Sequence, residues 1–352
     1  MNKEIFLAKP EDGKQISQIL ESAAGNGMIE MSYTRRPDAY ISYQKETGEA
    51  RIYVQKDGEQ IIQTCTMLVR DVYLGGQASR AGYICGLKKN HLYEGYAVNT
   101  VKLFNCFNDP TLDLTYCCVL KNNDTFRPMI EKNRKSLTVS QMAEFKTMMF
   151  NPSQKIKAPQ NSFTFRQAKR EDLDNLIKYL NEEGKKKDLF PVIKSLDQFE
   201  NLKVEDFYLL LNNDEIIAAA ALWDVSSYKQ YTVKKYHWLM KVLRILNPLL
   251  TLLKYIKLPK ENEPIKFPFI SFLLCKDDDL NYFSIFLKEI CKVASAKYGL
   301  VGLALPITHF AFSFMKKLKT VSFDSILYKL SFYNNEARAS VKATIFTENA
   351  LL

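Results

Sequence analysis

The chain has 352 residues, enough for two domains that each bury a core of their own. Apolar residues make up 47% and charged residues 25%, the balance of an ordinary folded protein and not of a disordered one. No uncharged apolar run approaches the roughly 20 residues that span a bilayer, and the opening Met-Asn-Lys-Glu-Ile-Phe lacks the apolar run of a signal peptide.

Seven cysteines (65, 85, 106, 117, 118, 275 and 291) contain no Cys-x-x-Cys pair. That pattern predicts reduced thiols in the cytoplasm and argues against a zinc cage. His91, His237 and His309 are far apart, so neither a histidine metal site nor a Ser-His-Asp triad is expected. The net charge of +10 is concentrated. Between Val225 and Lys260 stand Lys229, Lys234, Lys235, Lys241, Arg244, Lys254, Lys257 and Lys260, with no acidic residue. Such a block implies an anionic partner or a solvated basic face.

In chain order, residues 5–9 read as a strand, and Pro10-Glu-Asp12 opens a helix with Ile16, Ile19 and Leu20 on one face. Residues 38–45 form a second short helix, 50–55 a strand and Lys56-Asp-Gly58 a turn. A long strand runs from Gln60 to the Gly75-Gly76 dipeptide, which suits a tight hairpin, and its partner covers 77–87. A polar loop, 88–96, then leads into a helix over 97–105. Strand, glycine-containing loop and helix in this order aim backbone N–H groups at one point, a generic anion site. A strand over 112–120, a helix to about residue 134 and a strand over 142–150 complete the first half.

Residues 151–161, with two prolines and no periodicity, are the expected linker. The opening pattern then returns: Phe163-Thr-Phe-Arg-Gln-Ala-Lys-Arg-Glu-Asp-Leu173 parallels Ile5-Phe-Leu-Ala-Lys-Pro-Glu-Asp12. Strands over 207–211, 216–223, 269–275, 300–306 and 325–333, with a helix over 282–297, repeat the first-half plan. The reading is an internal duplication.

This plan resembles the GNAT (GCN5-related N-acetyltransferase) superfamily in tandem. The family's phrase is a strand, a loop of the form Arg/Gln-x-x-Gly-x-Gly/Ala, and a helix; here it reads Gly86-Leu-Lys-Lys-Asn-His-Leu-Tyr-Glu-Gly-Tyr-Ala-Val-Asn99. Glu94 stands where Arg or Gln is expected, Ala97 and Asn99 stand where the later small residues belong, and Gly95 is not a signature glycine. The second half resembles a group of bacterial tandem-GNAT proteins at Trp223-Asp224, Asn247-Pro-Leu-Leu250 and Phe272-Leu-Leu-Cys-Lys-Asp-Asp-Asp279.

The resemblance implies an α/β (α+β) fold of two GNAT-like domains, each a mixed, mainly antiparallel sheet flanked by helices. They cover 1–150 and 162–352, with a basic amphipathic helical insertion at 225–266. It implies acyl transfer from acetyl-CoA to a primary amine of a small molecule or peptide, without a metal. Loop amides would hold the pyrophosphate, splayed parallel strands the pantetheine, and a bulge amide would polarise the thioester. The implied cofactor residues are Leu87, Lys88, Lys89, Tyr93, Glu94, Gly95, Tyr96, Ala97, Val98, Asn99 and Asn123. Tyr116 and Asn123 are weak catalytic candidates, since a strand tyrosine is more often core and Asn123 also suits a turn.

The second-half loop, Lys276-Asp-Asp-Asp-Leu-Asn281, carries three consecutive acids and no glycine, so its phosphate site is expected to be lost and the first half to bind the cofactor. Cys117 and Cys118 are expected to be structural. In residues 234–258, Tyr236, Leu239, Met240, Leu243 and Leu246 fall at helical spacing, and Asn247-Pro248 separates them from a second helix. The commoner arrangement packs such helices on their own domain with lysines outward; an interfacial membrane helix or a flap over the acceptor is the alternative. Nucleic acid is disfavoured: basic residues without a recognised fold give only salt-sensitive nonspecific binding. The contrasting functional reading is a non-catalytic scaffold that binds a ligand, partner or membrane surface.

Overall fold

The computed structural model describes residues 4–22, 28–47, 49–93, 100–132, 136–333, 344–346 and 348–351. Strand β1 (Ile5–Leu7) enters α1 (Gly13–Glu21) through a single 3-10 turn, and the stripe Ile16, Ile19, Leu20 is buried. Asp12 closes the turn by accepting the Lys9 N–H at 3.0 Å. Next come β2 (Ile29–Arg35), α2 (Ala39–Thr47), β3 (Ala50–Asp57), β4 (Gln60–Leu74) and β5 (Gln77–Lys89). Gly75 and Gly76 join the last two strands with φ of 57° and 80°, the positive pair a tight hairpin demands. Then follow α3 (Thr100–Asn105), β6 (Leu114–Leu120), α4 (Phe126–Glu131) and β7 (Leu137–Phe150).

The duplicated opening is reproduced in detail. β8 (Thr164–Gln167) enters α5 (Leu173–Gly184) through another 3-10 turn, where Asp172 accepts the Lys169 N–H at 2.7 Å. The remaining elements are β9 (Phe207–Asn212), β10 (Glu215–Trp223), β11 (Lys229–Tyr236), α6 (Trp238–Ile245), α7 (Asn247–Leu252), β12 (Phe269–Cys275), α8 (Leu280–Ser295), β13 (Val301–Pro306), α9 (Phe312–Met315) and β14 (Thr320–Phe332).

The strands form one 12-stranded sheet in the order β1-β3-β4-β5-β6-β14-β7-β13-β12-β10-β9-β8. The order is palindromic in structural role: five strands of each half flank the central pair β14–β7. Two contacts are parallel, β5 with β6 and β12 with β13, and occupy matching places. The halves exchange their last strands, because β7 borders β13 while β14 borders β6. Helices α1, α2 and α5 bury their apolar stripes on one face of the sheet, and α3, α4, α8 and α9 do so on the other.

Three sequence expectations are corrected. β2 and β11, which alternation alone did not reveal, pair with each other in a separate antiparallel ribbon that links the halves. Tyr236, expected on a helix, ends β11 and is buried, so the helical part of the insertion starts later. α6 and α7 do not bury an apolar stripe on their own domain: neither has a fully buried residue, and Met240 and Leu250 are only half-buried.

Candidate functional site

β5 and β6 run in parallel register only from Ala81↔Leu114 to Ile84↔Cys117. Beyond this the strands part, because β5 carries a bulge: Thr64 pairs with Lys88 and Thr66 with Cys85, leaving Gly86 and Leu87 opposite one residue of β4. Gly86 has φ of 62°, and a Cβ built on it would strike the Tyr43 hydroxyl. Only glycine meets both demands at low cost. The parting leaves a cavity of about 270 Å³ lined by Ile84, Cys85, Gly86, Leu87, Phe104, Cys117, Cys118, Val119, Leu120, Asn123 and Phe126. Cys118 and Leu120 also line a 140 Å³ hollow on the α1/α2 face with Tyr83, Phe145, Thr147, Ala304 and Ser325.

The sequence candidates fall unevenly around this cleft. Leu87 and Asn123 line it, and Asn123 Oδ1 also caps α4 by accepting the Phe126 N–H at 2.9 Å. Lys88 lies at the end of β5, but its ammonium donates to the Leu20 and Ser22 carbonyls at the end of α1, and burial lowers its pKa. Lys89 closes β5 opposite Gln63, and Tyr93 lies in the 3-10 turn that follows. Glu94, Gly95, Tyr96, Ala97, Val98 and Asn99 are outside the described residues. Tyr116 is buried on the α1/α2 face, its ring 5.2 Å from that of Tyr83, and is not among the residues lining the cleft. Burial pushes its phenol up in pKa against the opposing charge of Arg70. Gly86 and Tyr43 were not singled out from sequence, although a glycine inside a strand is a usual mark of a bulge; of the two glycines in β5, Gly82 and Gly86, the second has the positive φ.

The second half repeats the bulge and fills it. Phe272 stands three residues past Phe269, as Gly86 stands three past Tyr83, and its φ is 54°. Its ring is enclosed by Trp223, Phe199 and Phe207 at centroid distances of 5.8, 5.0 and 5.9 Å. Its N–H donates to Glu348 Oε2 at 2.6 Å. At the start of α8, Asp279 Oδ1 accepts the Asn281 and Tyr282 N–H groups at 2.7 and 2.9 Å. Lys186 and Lys187 pair with Asp277 and Asp278. Carboxylates from within the chain thus hold the amides that would face an anion.

Two titrating groups near this filled site act in opposite senses. Burial pushes the Glu348 carboxyl up to about 7, against the opposing Phe272 and Ala350 N–H bonds and the charge of Arg70. Burial pushes His309 down to about 4, with Asp278 opposing and Lys187 adding. Glu348 binds its proton more tightly when folded. Its contribution is present below the unfolded value of 4.5 and is lost as pH rises through about 7. His309 contributes above 6.5 and loses that contribution as pH falls through about 4. We therefore expect Glu348→Gln, which mimics the protonated acid, to gain stability relative to the parent on the order of 3 kcal/mol between about pH 5 and about pH 8. Denaturant titration at both pH values checks this; equal differences would refute it.

A buried ionic cluster lies beside the first-half bulge. Glu46, Arg35 and Lys229 are fully enclosed and Arg70 is nearly so. Glu46 bonds to Arg35, accepts from Arg70 at 3.0 Å, and has Lys229 Nζ at 3.9 Å. Burial acts to raise the Glu46 pKa, but Arg35, Lys229 and Arg70 outweigh it and keep the group ionised. Arg35 also lies over the Tyr43 ring, 3.9 Å from its centroid. Arg70 Nη1 donates to the Leu351 carbonyl and Lys229 Nζ to that of Ala350, at 2.9 and 3.1 Å, tying segment 348–351 to the cluster. A 430 Å³ cavity opens beside it, lined in part by Glu46, Glu49, Arg70, Asp71, Arg80 and Lys194.

No protein-family model matches the chain, and no curated protein sequence matches it. Solved structures do. Saccharomyces cerevisiae N-myristoyltransferase with bound myristoyl-CoA superposes with a TM-score of 0.60 at 8% identity, covering 99% of this chain and 90% of the yeast chain. A conserved protein of unknown function from Enterococcus faecalis V583, described as a probable N-acyltransferase, gives 0.55 at 10% identity over 94% of this chain and 73% of its own. A GCN5-related N-acetyltransferase from Anabaena variabilis gives 0.52 at 11% identity over 94% and 72%. At these identities the likeness is one of fold. The chain has the GNAT fold, built twice on one sheet.

Proposed function

We propose that the protein transfers an acyl group from acetyl-CoA to a primary amine, with the first half holding the cofactor. The observation that carries this reading is the parting of β5 and β6 at the Gly86 bulge, which leaves a cleft edged by strand backbone. Pantetheine carries amide groups that such an edge can bind, and a bulge N–H can polarise the thioester carbonyl as the amine attacks and the thiolate departs. Leu87 and Asn123 would border the arm; residues 94–99, to which the resemblance gives the pyrophosphate, lie outside the described residues and keep that role as part of the proposal. Tyr116 lies on the other face of β6, so the general-acid role is given to no residue.

The acceptor is assigned to the opposite face of the sheet. There the 430 Å³ cavity shares Arg70 and Pro191 with a small hollow that reaches Tyr116. The filled bulge and capped α8 of the second half support one cofactor site per chain. Calorimetry with acetyl-CoA is expected to show saturable binding at one equivalent, and longer acyl-CoA thioesters run beside it read the acyl length. Absence of saturation at high micromolar concentration, or two equivalents, would contradict the reading. Saturation without transfer to any amine tested would favour the scaffold.

A further inference from the structure

Among the described residues, nearly half of the large apolar side chains that stand exposed fall between 238 and 255: Trp238, Leu239, Val242, Leu243, Ile245, Leu246, Leu249, Leu252, Leu253 and Tyr255. Trp238, Ile245 and Leu252 are 64, 78 and 75% exposed, more than a soluble surface leaves uncovered without a use. The pair α6 and α7 is nevertheless firmly tethered. Asn247 exchanges hydrogen bonds with Leu258 at 3.0 and 2.9 Å, Asn151 donates to the Tyr255 carbonyl at 3.2 Å, and Lys319 donates to that of Leu253 at 2.9 Å. Polar bonds fix its base on the ends of β7 and β14 while its apolar side chains point away from the core.

The charge around it is predominantly basic, with Glu261 and Glu263 the acidic residues of the same insertion. Lys234, Lys235, Lys241, Arg244, Lys254 and Lys257 lie in or beside the helices, and Lys316, Lys317 and Lys319 lie in the neighbouring turn. Glu261 approaches Lys241 only at 3.9 Å. On β14, Val321 and Phe323 are exposed as well. Two copies meeting through this face would oppose basic residues to basic residues. Exposed aliphatics, a tryptophan and a tyrosine among lysines match instead the depth profile of a bilayer interface with anionic headgroups. No helix among the described residues is long and apolar enough to cross a membrane, so the element would lie in the interface.

We propose that α6 and α7 dock the protein onto anionic lipid bilayers, with Trp238, Ile245, Leu249 and Leu252 entering the headgroup region and the flanking lysines binding phosphate. This stands independently of acyl transfer.

The test uses the full chain with vesicles of phosphatidylcholine alone or mixed with phosphatidylglycerol. Co-sedimentation is expected to be at least about tenfold stronger with the anionic vesicles and to weaken with salt. Trp223 is buried, so a blue shift in emission on binding reports Trp238 and is expected to vanish in Trp238→Phe. Combining Ile245→Ser, Leu249→Ser and Leu252→Ser should weaken binding at least about tenfold without moving the melting temperature, because these side chains have no partners in the core. Lys241→Glu with Lys254→Glu should abolish the anionic preference. Failure of the parent protein to sediment with anionic vesicles overturns the proposal. So does concentration-dependent self-association that the serine variants remove, since the face would then join copies of the chain.

Discussion

Glu46→Ala is expected to destabilise the protein by about 3–5 kcal/mol, the cost of leaving buried charges without their partner. Among the described residues Arg35, Arg70 and Lys229 converge on Glu46, and all four side chains are shut off from solvent or nearly so. Removing it takes away the negative charge on which Arg35, Arg70 and Lys229 converge, in a medium that screens their mutual repulsion poorly. The cluster also joins distant parts of the chain: Arg35 belongs to β2, Arg70 to β4 and Lys229 to β11, and the last two hold the carbonyls of Leu351 and Ala350. Glu46→Gln separates charge from shape. The amide keeps the volume and some hydrogen bonds but not the negative charge, so most of the loss should persist. Denaturant midpoints of the two variants decide the matter. If Glu46→Gln matches the parent, the electrostatic account is wrong and the alanine effect is one of packing.

The elements legible from sequence are those whose cause is local. The Gly75-Gly76 hairpin, the stripe Ile16, Ile19, Leu20 and the Asp12 and Asp172 turns follow from spacing and residue type, and the duplication follows from their recurrence. What sequence missed depends on partners far away. The ribbon joins Ile29–Arg35 to Lys229–Tyr236, about 200 residues apart, and β11 is rich in lysine and polar residues that carry no strand signal of their own. The exchange of β7 and β14 is a matter of register between distant strands. Lys88 was expected to face phosphate on proximity in sequence, but its long side chain reaches the end of α1 instead. The helical reading of 234–258 holds over 238–252 but not at Tyr236, and the commoner of its consequences, burial on its own domain, is not met: periodicity shows that an apolar face exists but not what covers it. At the cleft, the loop phrase lies beyond Gly86, the positive-φ glycine of β5 at which the strands part, and nothing in spacing alone separates it from Gly82.

Gly86→Ala is accordingly expected to cost acyl-CoA affinity even though a methyl group is the smallest change available. Alanine disfavours a φ of 62°, and its Cβ would meet the Tyr43 hydroxyl. Tyr43 cannot easily withdraw, because it is buried in the core with the Arg35 guanidinium over its ring. The bulge must therefore flatten or shift. Each backbone hydrogen bond to pantetheine lost in this way is worth about 0.5–1.5 kcal/mol, so displacing two reduces affinity by roughly tenfold or more. The variant also loses stability, by about 1–3 kcal/mol of overpacking.

Tyr43→Phe supplies the discriminating second step. It removes the oxygen that the methyl group would strike, while Tyr43 Cζ, at 3.4 Å from the built Cβ, can give by a few tenths of an ångström. In the parent background Tyr43→Phe should leave affinity nearly unchanged. In the Gly86→Ala background it should recover most of the lost affinity, leaving only the φ penalty, a coupling that a double-mutant cycle measures directly. The substitution corresponding to Phe272, Gly86→Phe, would drive a ring against Tyr43 on the α1/α2 face, the side on which Phe272 packs in the second half, and by displacing the bulge should abolish binding. If Gly86→Ala binds acetyl-CoA as the parent does, the bulge is not the element that positions the cofactor, and the cleft between β5 and β6 loses its claim to be the acyl-transfer site.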